Sequence, residues 1–261
     1  MLPTSCTTRC SRCRRPAVIV QQYSGLSLCE EHLRRDLETK AKRLIRQHHW
    51  VQPGGSIAIA LSGRVVSGAL LLFLQRLLAD RRDLTLTAFT LYREGAASSA
   101  LLQVSSALAG ALGVGWQPFL CSRLASEQGE LVQHCCSAAA ALGADAVAVG
   151  ETLDDRAVTV LTKVCCGEQH TLIGAGPCSG AGNQMPVITP FSGIPFEEVA
   201  IYAGSLPIVP LPSQVWDPQK LSGAVGAFLA AYSTNHPSTR YALLSMYRQL
   251  AALNRPGDET P

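Results

Sequence analysis

From residue 56 onward the chain repeats two patterns of apolar and polar positions. Short, mostly apolar runs at 57–61, 84–90, 116–120 and 144–149 read as strands buried on both faces. Longer stretches at 68–79, 97–112, 129–142 and 152–164 read as helices. Strands that alternate with helices predict a doubly wound α/β fold, a parallel sheet covered on both sides. In such sheets ligands bind beyond the carboxyl ends of the strands. Two stretches fall at such ends: Ser62-Gly63-Arg64-Val65-Val66-Ser67 and Gly150-Glu151-Thr152-Leu153-Asp154-Asp155.

Before Pro53-Gly54-Gly55 the pattern differs. Residues 33–50 place Leu37, Leu44 and Ile45 among Arg34, Arg35, Lys40, Lys42, Arg43 and Arg46, which predicts an amphipathic helix with a basic outer face. Ahead of it lie Cys10-x2-Cys13 and Cys29-x2-His32. Two pairs at this spacing, on two short elements, can close a tetrahedral shell around one metal ion. Tyr23-Ser24-Gly25-Leu26 between them reads as a hairpin turn. The expected ion is a structural zinc held by Cys10, Cys13, Cys29 and His32, because so short a segment buries too little core to fold without metal.

The chain has 261 residues, 47% hydrophobic and 16% charged, which excludes a disordered protein. Its apolar runs are too short for a membrane span, and no basic-then-apolar leader precedes them. A cytoplasmic protein without a membrane partner is therefore expected. The net charge of +3 is uneven: residues 1–49 hold 10 Lys/Arg against 4 Asp/Glu, and the remainder 12 against 15. That asymmetry points to an anionic partner for the N-terminal segment, such as RNA or a nucleotide, with Arg34, Arg35, Lys42, Arg43 and Arg46 as candidate contacts to phosphates. Ten cysteines in such a compartment do not imply disulfides. Cys135, Cys136, Cys165 and Cys166 read as buried thiols.

The two strand-end stretches carry a resemblance. Ser62, Gly63 and Ser67 match the S-G-G-K-D-S pyrophosphate loop of the N-type ATP pyrophosphatases, while Arg64, Val65 and Val66 replace Gly, Lys and Asp. Gly150, Asp154 and Asp155 match the G-H-N-x-D-D motif of members that modify tRNA, while Glu151 and Thr152 replace His and Asn. The segments 190–203 and 236–244 and the Cys/His spacing are also similar to that family, in the same order. The resemblance spans about residues 10–250 and points to the tRNA 2-thiolation branch, the 2-thiouridine and 2-thiocytidine synthetases.

It implies a Rossmann-like nucleotide fold, with a zinc module over 1–35, a basic linker helix over 36–53, an α/β domain over 54–215 and C-terminal helices over 216–261. It also implies nucleotide contacts at Ser62, Gly63, Ser67, Gly150 and Asp154, and Asp155 as the one candidate catalytic carboxylate. Helix capping by Thr152, Asp154 and Asp155 explains the second motif equally well. The family's three cluster cysteines fall near 125–128 and at Leu211, where this chain has none. No iron–sulfur cluster is expected, and ATP with Mg2+ is expected to bind weakly at best. The leading reading is a non-catalytic tRNA-binding or partner subunit in tRNA 2-thiolation, acting with an intact catalytic homologue or as a self-dimer. An active ATP-dependent sulfurtransferase with an altered loop, and a zinc-stabilised scaffold or regulator, stand as alternatives.

Overall fold

The computed structural model describes residues 8–121, 128–172, 185–211 and 220–252. Strands β1 (Ile19–Gln21) and β2 (Leu26–Leu28) pair antiparallel, and Gly25 turns between them at φ +70°. Helix α1 (Glu30–Gln47) follows, with Leu33, Leu37, Ala41 and Ile45 buried at every fourth position. That spacing keeps one stripe facing inward. Each buried Leu or Ile side chain contributes about 1.5–3 kcal/mol.

A five-stranded parallel sheet forms the body, in the order β5 (Gly115–Leu120), β4 (Thr85–Tyr92), β3 (Ser56–Ala60), β6 (Ala146–Ala148), β7 (Val187–Ile188). The chain winds outward from β3 to β5, then returns to the other side of β3 for β6. The switch point therefore lies between β3 and β6, and it is outside the carboxyl ends of the strands at such a point that sheets of this kind bind ligands. The loops after these two strands are Ser62–Ser67 and Gly150–Asp155, so the fold brings the two motifs to one place.

Helices α2 (Val65–Leu78), α3 (Ala96–Ala111), α4 (Gln128–Ala141) and α5 (Leu153–Cys165) connect the strands. Ser67 through Leu74 of α2 are all buried, as suits a helix that is apolar on every side. Its start at Val65, earlier than the apolar pattern indicates, follows from Arg64 adopting the extended N-cap backbone. Short α6 (Phe196–Tyr202) packs on α1 and α2, and α7 (Leu221–Asn235) and α8 (Thr239–Ala252) pack on α5. Among the described residues, no helix is long and apolar enough to cross a membrane.

Candidate functional site

The N-terminal Cys/His group forms a compact donor set. Cys10 Sγ and Cys29 Sγ lie 3.4 and 3.3 Å from His32 Nδ1, and Cys13 Sγ lies 3.6 Å from Cys29 Sγ. All four donor atoms fall within 4.8 Å of one another. Metal–sulfur and metal–nitrogen bonds of about 2.3 and 2.0 Å place tetrahedral ligand atoms roughly 3.5–3.8 Å apart, so the set fits one four-coordinate ion. Local structure produces this arrangement. The Cys10 N–H donates to the Arg15 carbonyl and closes the first knuckle. Cys29 is the N-cap of α1, and His32, three residues on, shares its face. Burial acts to raise the Cys10 thiol, but hydrogen bonds from the backbone of Cys29, Arg12 and Cys13 outweigh it and bring it down to about 6. Cys29 is raised by burial and by the neighbouring thiols.

The hairpin is anchored to the body by a polar network that the sequence pattern does not reveal. The Tyr23 hydroxyl donates to Glu198 Oε1 at 2.7 Å, and Lys40 Nζ donates to the same hydroxyl. Lys40 also pairs with Asp36 at 2.7 Å and lies 3.6 Å from Glu198 Oε2. Glu198 is 1% exposed, and burial pushes its carboxyl up against the opposing pull of Lys40 and Tyr23.

At the switch point, the serines of the first loop close the turn on itself. The Ser62 N–H donates to Ser67 Oγ at 3.2 Å, and the Ser67 hydroxyl donates to the Arg64 carbonyl at 3.0 Å. Gly63 holds φ +69°, in the left-handed region that glycine adopts without strain. A Cβ there would lie 2.9 Å from Leu101 Cδ1 and 3.1 Å from Leu211 Cδ1. The Leu211 N–H donates to the Gly63 carbonyl at 2.8 Å, so residue 211 runs beside the loop. Two leucines thus pack against the glycine of this loop.

The second motif is equally occupied. Thr152 and Asp155 form a capping box: Thr152 Oγ1 accepts from the Asp155 N–H, and Asp155 Oδ2 accepts from the Thr152 N–H at 2.8 Å. Burial raises the Asp155 carboxyl and the Asp154 charge adds to this, while the bonds from Thr152 and the charge of Arg64 oppose it. Asp154 pairs with Arg240 at 2.7 Å and accepts from the Phe196 N–H at 2.6 Å. Glu151 is buried in an ion pair with Arg156, whose guanidinium lies 5.0 Å over the Tyr247 ring. Gly150 is required by a close approach: its Cβ would sit 3.0 Å from the Ser67 nitrogen and 3.2 Å from the Val66 carbonyl carbon. Backbone cannot yield as a flexible side chain does. Gly150→Ala is expected to destabilise the fold by about 1–3 kcal/mol, read as a lower urea midpoint; an unchanged midpoint would show that the two strand ends are not locked together.

Of the candidate RNA contacts, three are engaged within their own helix. Arg34 pairs with Glu31 at 2.9 Å and lies 3.7 Å from Glu38, Arg35 pairs with Glu31 at 2.6 Å, and Lys42 lies 3.8 Å from Glu38. Arg43 and Arg46 are exposed. The basic face is therefore less positive than its Lys/Arg content suggests. Cys135 and Cys136 are buried, and burial raises Cys135 to about 12. Cys165 and Cys166 are exposed, contrary to expectation. They end α5, where the chain turns through Gly167 at φ +74° and leaves the core.

Residues 9–34 match the family described as 2-thiouridine synthetase TtuA, N-terminal LIM domain. The tRNA 2-thiolation protein NcsA of Haloferax volcanii is 25% identical over 285 residues, covering 94% of this chain and 87% of that protein. The solved structure of U34-tRNA thiolase NcsA from Methanococcus maripaludis, with its 4Fe–4S cluster, superimposes with a TM-score of 0.81 at 17% identity, covering 98% and 92% of the two chains. The resemblance to the tRNA 2-thiolation branch and its fold holds along nearly the whole chain. The cofactor expectation does not. A similar structure carries an iron–sulfur cluster, so zinc as the sole metal and the exclusion of such a cluster do not stand. Thiolate donors take zinc and iron alike, so the Cys10, Cys13, Cys29 and His32 set defines a metal site and not its metal. Of the stretch 125–128, where two of the cluster cysteines were expected, residues 125–127 lie outside the described residues and Gln128 begins α4.

Proposed function

We propose, from the homology to tRNA 2-thiolation proteins, that this chain serves tRNA 2-thiolation as a tRNA-binding subunit that does not itself activate the tRNA base. The observation that carries this reading is the engagement of both cleft carboxylates. Asp155 caps a helix, and Asp154 clamps Arg240 and the start of α6. Pyrophosphate chemistry needs cations on phosphates and a carboxylate free for a metal. Val65 and Val66 supply neither, and Leu101 and Leu211 pack beside Gly63. In this reading Ser62, Gly63, Ser67, Gly150 and Asp154 keep the strand-to-helix turns of a nucleotide fold for their shape. The tRNA contacts come from α1, with Arg43 and Arg46 foremost because their neighbours Arg34, Arg35 and Lys42 are paired.

Two measurements test this. In gel shifts against tRNA, affinity is expected to fall steeply with salt. Arg43→Glu with Arg46→Glu should weaken binding and lower the slope of log affinity against log salt by about one unit per lost phosphate contact. Equal binding by the variant would remove α1 as the tRNA face. With tRNA, ATP and a sulfur donor, the purified chain should yield no thiolated nucleoside unless a homologue with an intact S-G-G-K-D-S loop is added. Product from the chain alone would overturn the non-catalytic reading.

A further inference from the structure

Three arginines from three helices come together beside the loop that follows β7. Arg156 of α5 pairs with Glu151 and lies over the ring of Tyr247 in α8, and its Nε is buried with no partner among the described residues. Arg248 is the next residue of α8. Partial burial, then the charges of Arg156 and of Arg43 in α1, lower its pKa from the usual arginine value. Neither Arg43 nor Arg248 forms an ion pair among the described residues. Glu151 is thus the one carboxylate that answers this group there.

The fold holds the three helices in this relation. Helix α8 packs along α5, and α6, which follows the loop, packs on α1. Tyr23 bridges α1 and α8, with Lys40 4.9 Å over its ring and the Tyr241 ring 5.0 Å away. Arg43 stands one turn beyond Lys40, and Arg248 two turns beyond Tyr241. Between them runs Gly193. A Cβ there would lie 3.9 Å from Arg248 Nη2 and meet nothing else within 4 Å. The guanidinium therefore faces open space beside a residue that has no side chain to fill it.

Gathered guanidiniums with a single carboxylate repel one another, and an anion removes that cost. The fork of an arginine suits both carboxylate and phosphate oxygens. Donors that arrive from three helices favour phosphate, because a tetrahedral group presents oxygens to several sides and a planar carboxylate does not. Arg46, one turn beyond Arg43 on α1, carries the positive row onward.

We propose that Arg43, Arg156 and Arg248 form a phosphate-binding notch between α1 and α8, and that its occupant is a backbone phosphate of the tRNA. The site rests on the convergence of the arginines; the identity of its occupant rests on the tRNA reading above. Such a contact positions the RNA and reads no base.

Thermal unfolding of the full chain tests the site without RNA. In inorganic phosphate at about 50 mM, the wild-type Tm should stand about 2–4 °C above that in chloride of equal ionic strength. Phosphate also stabilises proteins by exclusion from their surfaces, so the readout is the part of the rise that the variants lose. Arg248→Gln should lose it. Gly193→Asp should lose it too, because the new carboxylate occupies the guanidinium, and in chloride this variant should melt no lower than the wild type. A wild-type response in both variants would overturn the site. Gel shifts then test the occupant: Arg248→Gln should bind tRNA about tenfold more weakly at fixed salt, with the slope of log affinity against log salt lowered by about one. Unchanged tRNA affinity in a variant that has lost the phosphate response would overturn the RNA occupant in favour of a free phosphate compound. A wild-type chain that responds to phosphate but binds no tRNA would overturn the tRNA reading and the RNA occupant together, and would leave the phosphate site standing.

Discussion

Removing the metal, by chelation or by Cys29→Ser, is expected to unfold residues 9–34 and leave the α/β body folded. The apolar cluster of the module consists of Cys10, Leu28, Cys29 and Leu33, with Cys13, Ile19, Leu26 and Ile201 partly buried around it. A few such side chains contribute about 1.5–3 kcal/mol each, whereas ordering the segment costs about 1–2 kcal/mol for every residue fixed. Burial alone falls well short. A thiolate-bound structural metal contributes on the order of 10 kcal/mol, which is the size of term required. The body has its own core, built on α2 and the central strands, and Leu37 is the first residue of α1 to join it. Unfolding should therefore become stepwise. Hydrogen exchange should accelerate at Val18 and Leu33, whose N–H groups bond to Leu28 and Cys29, while Ile59 and Ala148 in the sheet stay protected. Elemental analysis of the untreated protein gives the metal and its stoichiometry, about one ion per chain if the four donors close one shell. A chelated protein with unchanged exchange over residues 9–34 would refute the assignment of the metal as what folds this module.

That module was legible because its chemistry resides in spacing. Cys10-x2-Cys13 and Cys29-x2-His32 are short-range patterns, and Gly25 marks the turn that folds one pair toward the other. The strands β3, β4 and β6 were legible for a related reason, since a strand buried on both faces leaves an uninterrupted apolar run, whereas β5, read from its sequence as buried too, lies at the sheet edge and is largely exposed. β7, at two residues, leaves no period. The strand order was not legible either: the apolar runs of β3 and β6 look alike, and only the assembled sheet shows that they are neighbours with the switch point between them. The roles of the cleft residues were hidden most deeply. Ser62, Ser67, Asp154 and Asp155 read as ligand groups because their types match a motif, yet each is occupied by a partner that is local in space but not always in sequence. Arg240 reaches Asp154 from α8, and the Phe196 N–H reaches it from α6. Glu198 escaped notice because a glutamate in Pro195-Phe196-Glu197-Glu198 reads as a solvated first-turn charge. Its burial depends on Tyr23, which lies far away in the chain.

Lys40→Ala should destabilise the protein by about 2–3 kcal/mol near pH 7.5 and by much less near pH 4. Breaking a fully buried ion pair costs roughly 3–5 kcal/mol, and the smaller figure reflects that Lys40 is a third exposed. The pH dependence follows from two carboxyls. Glu198 has its folded pKa raised above 4.5, chiefly by burial, with Lys40 the main opposing influence. A raised carboxyl favours the fold below its unfolded pKa and loses that contribution as pH rises through the folded value. Without Lys40 it rises further, so its cost at neutral pH grows. Asp36 is depressed below 3.8: burial acts to raise it, and Lys40 and Gln21 outweigh burial. Its contribution is present above the unfolded value and lost as pH falls through the folded one, so removing Lys40 also weakens the fold above about pH 4 and not below. Both effects have the same sign. Urea unfolding at the two pH values measures the difference, and Glu198→Gln in the Lys40→Ala background should recover most of the loss at pH 7.5, because an amide needs no countercharge. A loss that is equal at both pH values and not relieved by Glu198→Gln would mean that Lys40 acts through its aliphatic stem over the Tyr23 ring, 4.9 Å from the ammonium, and that charge does not anchor the metal module to α6.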